Sequence, residues 1–140
     1  MTPVKTFESG TTLRNRLSRS IVLAIRTLMQ QAAPNQLSLD LAAFVALALE
    51  KIQESIESSA VAWEKRDYWL KADRFRLEWH WVGEARKNLT QHLLKEDWSL
   101  LVADLTSVAQ HLSKVEVRPN NRIGEPWVGA WQVFKKQFPK

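Results

Sequence analysis

The sequence predicts an all-α protein: an antiparallel, up-down-up-down four-helix bundle over residues 11–116, followed by a Trp-rich C-terminal extension over residues 117–140. Three observations predict it. Glycine and proline, the strongest interrupters of regular structure, are absent between Pro34 and Pro119 apart from Gly83. In that stretch and ahead of it, apolar residues recur at the three-to-four spacing of one helix face. The 140 residues also suffice for a single core, since chains of about 150 residues bury ~68–70% of their unfolded surface.

The first helix carries Leu13, Leu17, Ile21, Ala24 and Leu28 on one face. Thr11 or Thr12 is expected to cap it, and Pro34 ends it near Ala33. Asn35 or Ser38 is expected to cap the second helix, whose stripe runs Ala42, Val45, Leu49, Ile52, Ile56. The charged run Glu64-Lys65-Arg66-Asp67 breaks that stripe, which places the next turn between Lys65 and Tyr68, with Asp67 as the cap beyond it. Phe75, Trp79, Val82, Leu89 and Leu93 then point inward from a third helix. Asp97 caps a fourth, striped by Trp98, Leu101, Leu105, Val108, Leu112 and Val115 and stopped by Pro119. In the extension, Trp127, Trp131, Phe134 and Phe138 share one face of a short amphipathic helix beside Lys135, Lys136 and Lys140.

Composition narrows the class of function. There is no cysteine, so disulfides and thiolate metal sites are excluded, and the reading is a cytoplasmic protein. The longest apolar run, Leu41 to Leu49, is far short of the ~20 residues of a membrane-spanning helix, so no membrane partner is expected. Lys5, Arg14, Arg16, Arg19 and Arg26 give the start a superficial likeness to an organellar presequence, but its apolar residues continue a core-helix period. The net charge is +5, from 20 Lys and Arg against 15 Asp and Glu. Residues 1–30 and 61–95 are basic whereas residues 31–60 are acidic. A basic chain attracts nucleic acid and other anions.

Catalysis finds little support, and neither catalytic residues, metal ligands nor a cofactor are expected. His80, His92 and His111 are too widely spaced for a paired-helix metal site. Glu50, Glu54 and Glu57 line one helix face, Glu96-Asp97 reads as a helix start, and no Gly-rich phosphate loop or nucleophile elbow is present. Asn88-Leu89-Thr90 has the form of a glycosylation sequon, which is discounted without a signal peptide.

Basic residues off the apolar faces are the stronger candidates. Arg16, Arg19 and Arg26 on the first helix, Arg76, His80 and Lys87 on the third, and Arg66, Lys71 and Arg74 at the turn before it are placed to neutralise phosphates, or else form ordinary solvated surface. Seven tryptophans are far more than usual. Trp79 and Trp98 are assigned to the core. Leu77 and Trp81 point off that face, as a subunit interface, a dock for the tail, or a stacking platform for bases.

The segment Tyr68-Trp69-Leu70-Lys71-Ala72-Asp73-Arg74-Phe75-Arg76-Leu77-Glu78-Trp79, set in four helices of basic overall charge, resembles the accessory variability determinant (Avd) proteins of diversity-generating retroelements. Their relatives are four-helix proteins encoded by ribosomal RNA intervening sequences. The resemblance spans residues 11–116 by helix order, and in residues only the third helix. It implies a barrel-like homopentamer whose basic surface binds a reverse transcriptase and its template RNA. One departure is clear: such proteins commonly end the fourth helix on Gly-x-Trp, whereas Gly129-Ala130-Trp131 here follows Pro119 and Pro126. The alternative reading is a structural or interaction bundle, in which an acidic second helix meets a basic first helix of a neighbouring copy.

Overall fold

A computed structural model describes residues 8–138. Its helices are α1 (Gly10–Met29), α2 (Gln36–Glu64), α3 (Trp69–Glu78), α4 (His80–Leu94), α5 (Trp98–His111) and α6 (Ala130–Gln137), and no strand occurs among the described residues. None of these helices is long and apolar enough to cross a membrane.

α2 is the axis about which the rest is arranged, packing against α1, α3, α4 and α6. Its sequence explains that position. Between Leu41 and Leu49 the buried residues Leu41, Ala42, Ala43, Val45, Ala46, Ala48 and Leu49 surround nearly the whole helix, and a helix apolar all round must be covered all round. The small alanines allow close neighbours. Its start is held by a capping box: Asn35 Oδ1 accepts from Ser38 N–H at 3.0 Å while Ser38 Oγ accepts from Asn35 N–H at 3.1 Å, so both candidate caps take part. α1 begins earlier than its threonines suggest, because Ser9 accepts from Thr12 N–H at 3.1 Å and leaves Thr11 and Thr12 inside the helix.

Two turns close in the same way. Asp67 (φ 64°) and Glu96 (φ 49°) occupy the left-handed position, and beyond them Tyr68 N–H reaches Trp63 O at 2.9 Å and Asp97 N–H reaches His92 O at 3.1 Å. Asp67 is therefore a left-handed C-terminal residue of α2 and not the expected cap of α3, whose flanking Tyr68 makes no side-chain cap. Asp97 caps α5 as expected, accepting from Leu100 N–H at 3.2 Å.

The third predicted helix is two. Trp79 (φ −106°, ψ 10°) departs from helical backbone and separates α3 from α4. Both halves pack on α2, and in α4 Gly83 leaves room for Gln53: a Cβ there would lie 2.9 Å from Gln53 Nε2. The fourth helix ends at His111, well before Pro119, and Val115 belongs to the segment beyond. Trp79 and Trp98 sit at the edge of the core, partly buried.

The extension is part of the core. Trp127, Trp131 and Phe134 are buried in the same apolar cluster as α2, and Trp127 meets Phe44 edge-on at 6.4 Å. Gly129, left-handed at φ 81°, has no side chain to cap α6. Asp40 of α2 supplies the missing acceptor, taking Trp131 N–H at 3.0 Å.

Candidate nucleic-acid interface

Val115-Glu116-Val117-Arg118 explains how a basic cleft forms. The two valines are partly buried and Glu116 and Arg118 exposed, the period-two alternation of an extended chain lying on the bundle. Asn121 then folds the chain back: its Nδ2 donates to Arg118 O at 2.8 Å and its Oδ1 accepts from Ile123 N–H at 3.0 Å. Between this segment and α1 lies a cleft of about 740 Å³ lined by Arg16, Arg19, Arg118 and Arg122, with one carboxylate, Glu116. Arg16 and Arg19 are predicted site residues. Arg118 and Arg122 are not, though the Val-x-Val alternation was a readable sign that this stretch leaves the helix and turns its charges outward.

The cleft arginines differ in commitment. Arg16 forms a forked pair with Glu8, at 2.8 and 2.9 Å, and that hydrogen bonding holds the Glu8 carboxyl below its ordinary range. Among the described residues Arg19, Arg118 and Arg122 make no ion pair. Even with Arg16 matched by Glu8, the three remaining guanidinium groups against the single lining carboxylate Glu116 leave a net positive cleft suited to a polyanion.

The other predicted basic residues do not join them. Arg76, expected to face solvent, turns onto α2: it is hydrogen-bonded to Glu57 at 2.9 and 3.2 Å and to Glu64, and those bonds raise its pKa while lowering that of Glu57. A phosphate would have to displace two carboxylates to reach it. Arg86 similarly lies 4.0 Å from Glu50. Carboxylates on the acidic flank of α2 are thus met within the chain, by Arg76 of α3 and Arg86 of α4. Lys71 and Arg74 line a shallow groove on α3 with Trp63, where Lys71 Nζ stands 4.5 Å from the ring centre. Arg66, in the turn, and Arg26 and Lys87, on α1 and α4, are exposed.

The break at Trp79 also re-aims the aromatic residues. Trp81, expected to face a neighbouring subunit, the tail or a base, stacks on His111 of α5 at 4.4 Å and 2° and leans on Trp79 at 6.3 Å. The tail docks elsewhere, on α2. Leu77 points off the core face: it is 76% exposed, on the same helix as Leu70 at 62% and Trp69 at 57%.

One charged residue has a structural use that the sequence reading did not assign to it. Arg14 is buried between α1, α2 and α3, donating to Ser55 O at 3.4 Å, Ser55 Oγ at 3.3 Å and Ser59 Oγ at 3.4 Å, with its guanidinium 4.7 Å from the Phe75 ring centre. Desolvation lowers its pKa. Its place in the 3–4 period, one residue past Leu13 and three before Leu17, was the available sign.

Among the described residues no group of three or more His, Asp or Glu is arranged to hold a metal ion. No family model, no curated protein and no solved structure matches this chain.

Proposed function

We propose that this chain is a non-catalytic, basic helical-bundle protein that binds nucleic acid, RNA or DNA, and a reverse transcriptase, as a cytoplasmic accessory factor of a diversity-generating retroelement. Its core is an up-down-up-down bundle of α1, α2, the broken α3–α4 helix and α5. Two sets of cross-contacts support antiparallel neighbours: Arg14, early in α1, meets Ser55 and Ser59 in the later part of α2, and as the chain advances from Arg76 to Arg86 its α2 partners retreat from Glu64 and Glu57 to Gln53 and Glu50. The observation that carries the nucleic-acid reading is the arginine cleft, in which Arg19, Arg118 and Arg122 converge without carboxylate partners among the described residues. The retroelement context and the pentamer rest on the resemblance of residues 68–79.

Retention on an RNA column tests the binding: elution should shift steeply with salt, because each neutralised phosphate releases counterions. A chain that fails to bind RNA or DNA at low salt would refute it.

One observation favours a second reading, a homo-oligomeric interaction bundle without nucleic acid. Leu77, Leu70 and Trp69 expose apolar surface on α3, a helix that buries Ala72 alone. Light scattering should then report a multiple of 16.2 kDa that Leu77→Glu reduces. A wild-type monomer would remove this reading.

A further inference from the structure

Resting on the nucleic-acid reading above, we infer that the ligand is a single strand, with its phosphates along the arginine cleft and a base laid against the Trp81–His111 stack. A second recess, of about 440 Å³, adjoins the cleft, and Arg19 and Glu116 line both. Its aromatic lining is Trp79, Trp81 and His111, with Lys114 among its polar residues. His111 is stacked on Trp81 yet exposed, so the ladder that begins inside the chain ends at solvent.

That juxtaposition separates a strand from a duplex. The phosphates of either can enter a groove of guanidinium groups, but in a duplex the bases are stacked on one another and closed to side chains. An aromatic end beside a phosphate track is reached only by a base that has left its stack, and such contacts tolerate any base because every base has a π-face. Glu116, on the boundary of the two recesses, opposes a phosphate passing between them. Its removal should therefore strengthen binding, which ordinary solvated surface would not show.

The test is fluorescence anisotropy of the full chain with a labelled twelve-nucleotide oligouridine and, separately, a mixed-sequence RNA duplex of the same length, across a salt series. The expected results are tighter binding of the single strand and a loss of about tenfold or more for Arg118→Gln with Arg122→Gln. The salt slope should flatten by about 1.4, or 0.7 per lost contact. His111→Ala should weaken the single strand about fivefold at unchanged salt slope, because stacking releases no counterions. Glu116→Gln should tighten binding, and Arg26→Gln with Lys87→Gln should leave the ratio of strand to duplex affinity unchanged. Circular dichroism melts confirm that each variant folds. If wild type binds RNA but the Arg118/Arg122 variant binds equally well, the cleft is overturned while the general reading stands. Equal binding of duplex, or indifference to His111→Ala, overturns the single-strand assignment. Binding of polyglutamate as tight as that of RNA assigns the cleft to an acidic protein segment instead. If wild type binds no RNA or DNA, the general reading falls as well.

Discussion

The acidic flank of α2 and the cleft beside α1 hold the same residue type in opposite states. On α2, Arg76 is hydrogen-bonded to Glu57 and Glu64 and Arg86 stands by Glu50, so positive and negative groups are matched within the chain. In the cleft, Arg19, Arg118 and Arg122 converge without such partners among the described residues. Exposed arginines are therefore poor guides to a polyanion site taken one at a time. What distinguishes the two regions is the second element: α2 brings carboxylates to α3 and α4, whereas the 115–123 segment brings more arginines to α1.

The comparison depends on the C-terminal segment being fixed to the bundle, and the largest expected effect tests that. Phe134, 1% exposed, anchors α6 on α2. Phe134→Ala should cost ~3–5 kcal/mol in chemical denaturation, as large-to-small core substitutions do. A cost below about 1 kcal/mol would mean that the extension is a loose appendage and that the cleft lacks its second wall.

Arg14 is a third state of arginine, neither open nor matched by a hydrogen-bonded carboxylate. Arg14→Ala should destabilise the chain by ~1–3 kcal/mol, by removing its hydrogen bonds to α2 and its packing on Phe75, with RNA affinity unchanged in the folded variant. A fall in affinity without a fall in melting temperature would place it in the binding surface instead. Asp40→Ala should cost about 1 kcal/mol, the usual effect of losing a helix N-terminal acceptor, and should raise amide exchange in α6 before the other helices. Uniform exchange would show that Asp40 does not hold the tail.

Much of this was legible in the sequence. The helical class, the turn after Glu64, the α5 cap at Asp97 and the aromatic face of α6 all follow from local pattern, since period and capping are properties of neighbouring residues. The break at Trp79 was not, because no glycine or proline stands at it and the apolar period runs on through it from Phe75 to Val82. For the same reason Trp81 reads as an outward residue on a continuous helix and lies on His111 once the helix is broken. Of the predicted basic residues, Arg16 and Arg19 reach the cleft. Arg76 does not, because its carboxylate partners are twelve and nineteen residues away in the chain and on another helix.

The smallest expected effect concerns acid. Hydrogen bonds from Arg76 hold Glu57 below the ordinary carboxylate range, so the unfolded chain binds that proton more readily than the fold does. The resulting stabilisation is complete above the unfolded value of about 4.3 and is lost as pH falls through the lower folded value. The pair is exposed and screened by solvent, so the effect is modest. The melting temperature of wild type should exceed that of Glu57→Gln at pH 6, and the difference should close on acidification. A constant difference across that range would show that the carboxylate is not engaged.

The most direct test of the central claim compares the two regions in one experiment: the slope of log K against log salt for a single-stranded RNA, measured for wild type, Arg76→Gln and the Arg118→Gln/Arg122→Gln pair. The account expects Arg76→Gln to leave slope and affinity unchanged, because its charge is already matched by Glu57 and Glu64. The cleft pair should flatten the slope by about 1.4. The reverse pattern, with Arg76→Gln flattening the slope and the cleft pair leaving it intact, would contradict the account.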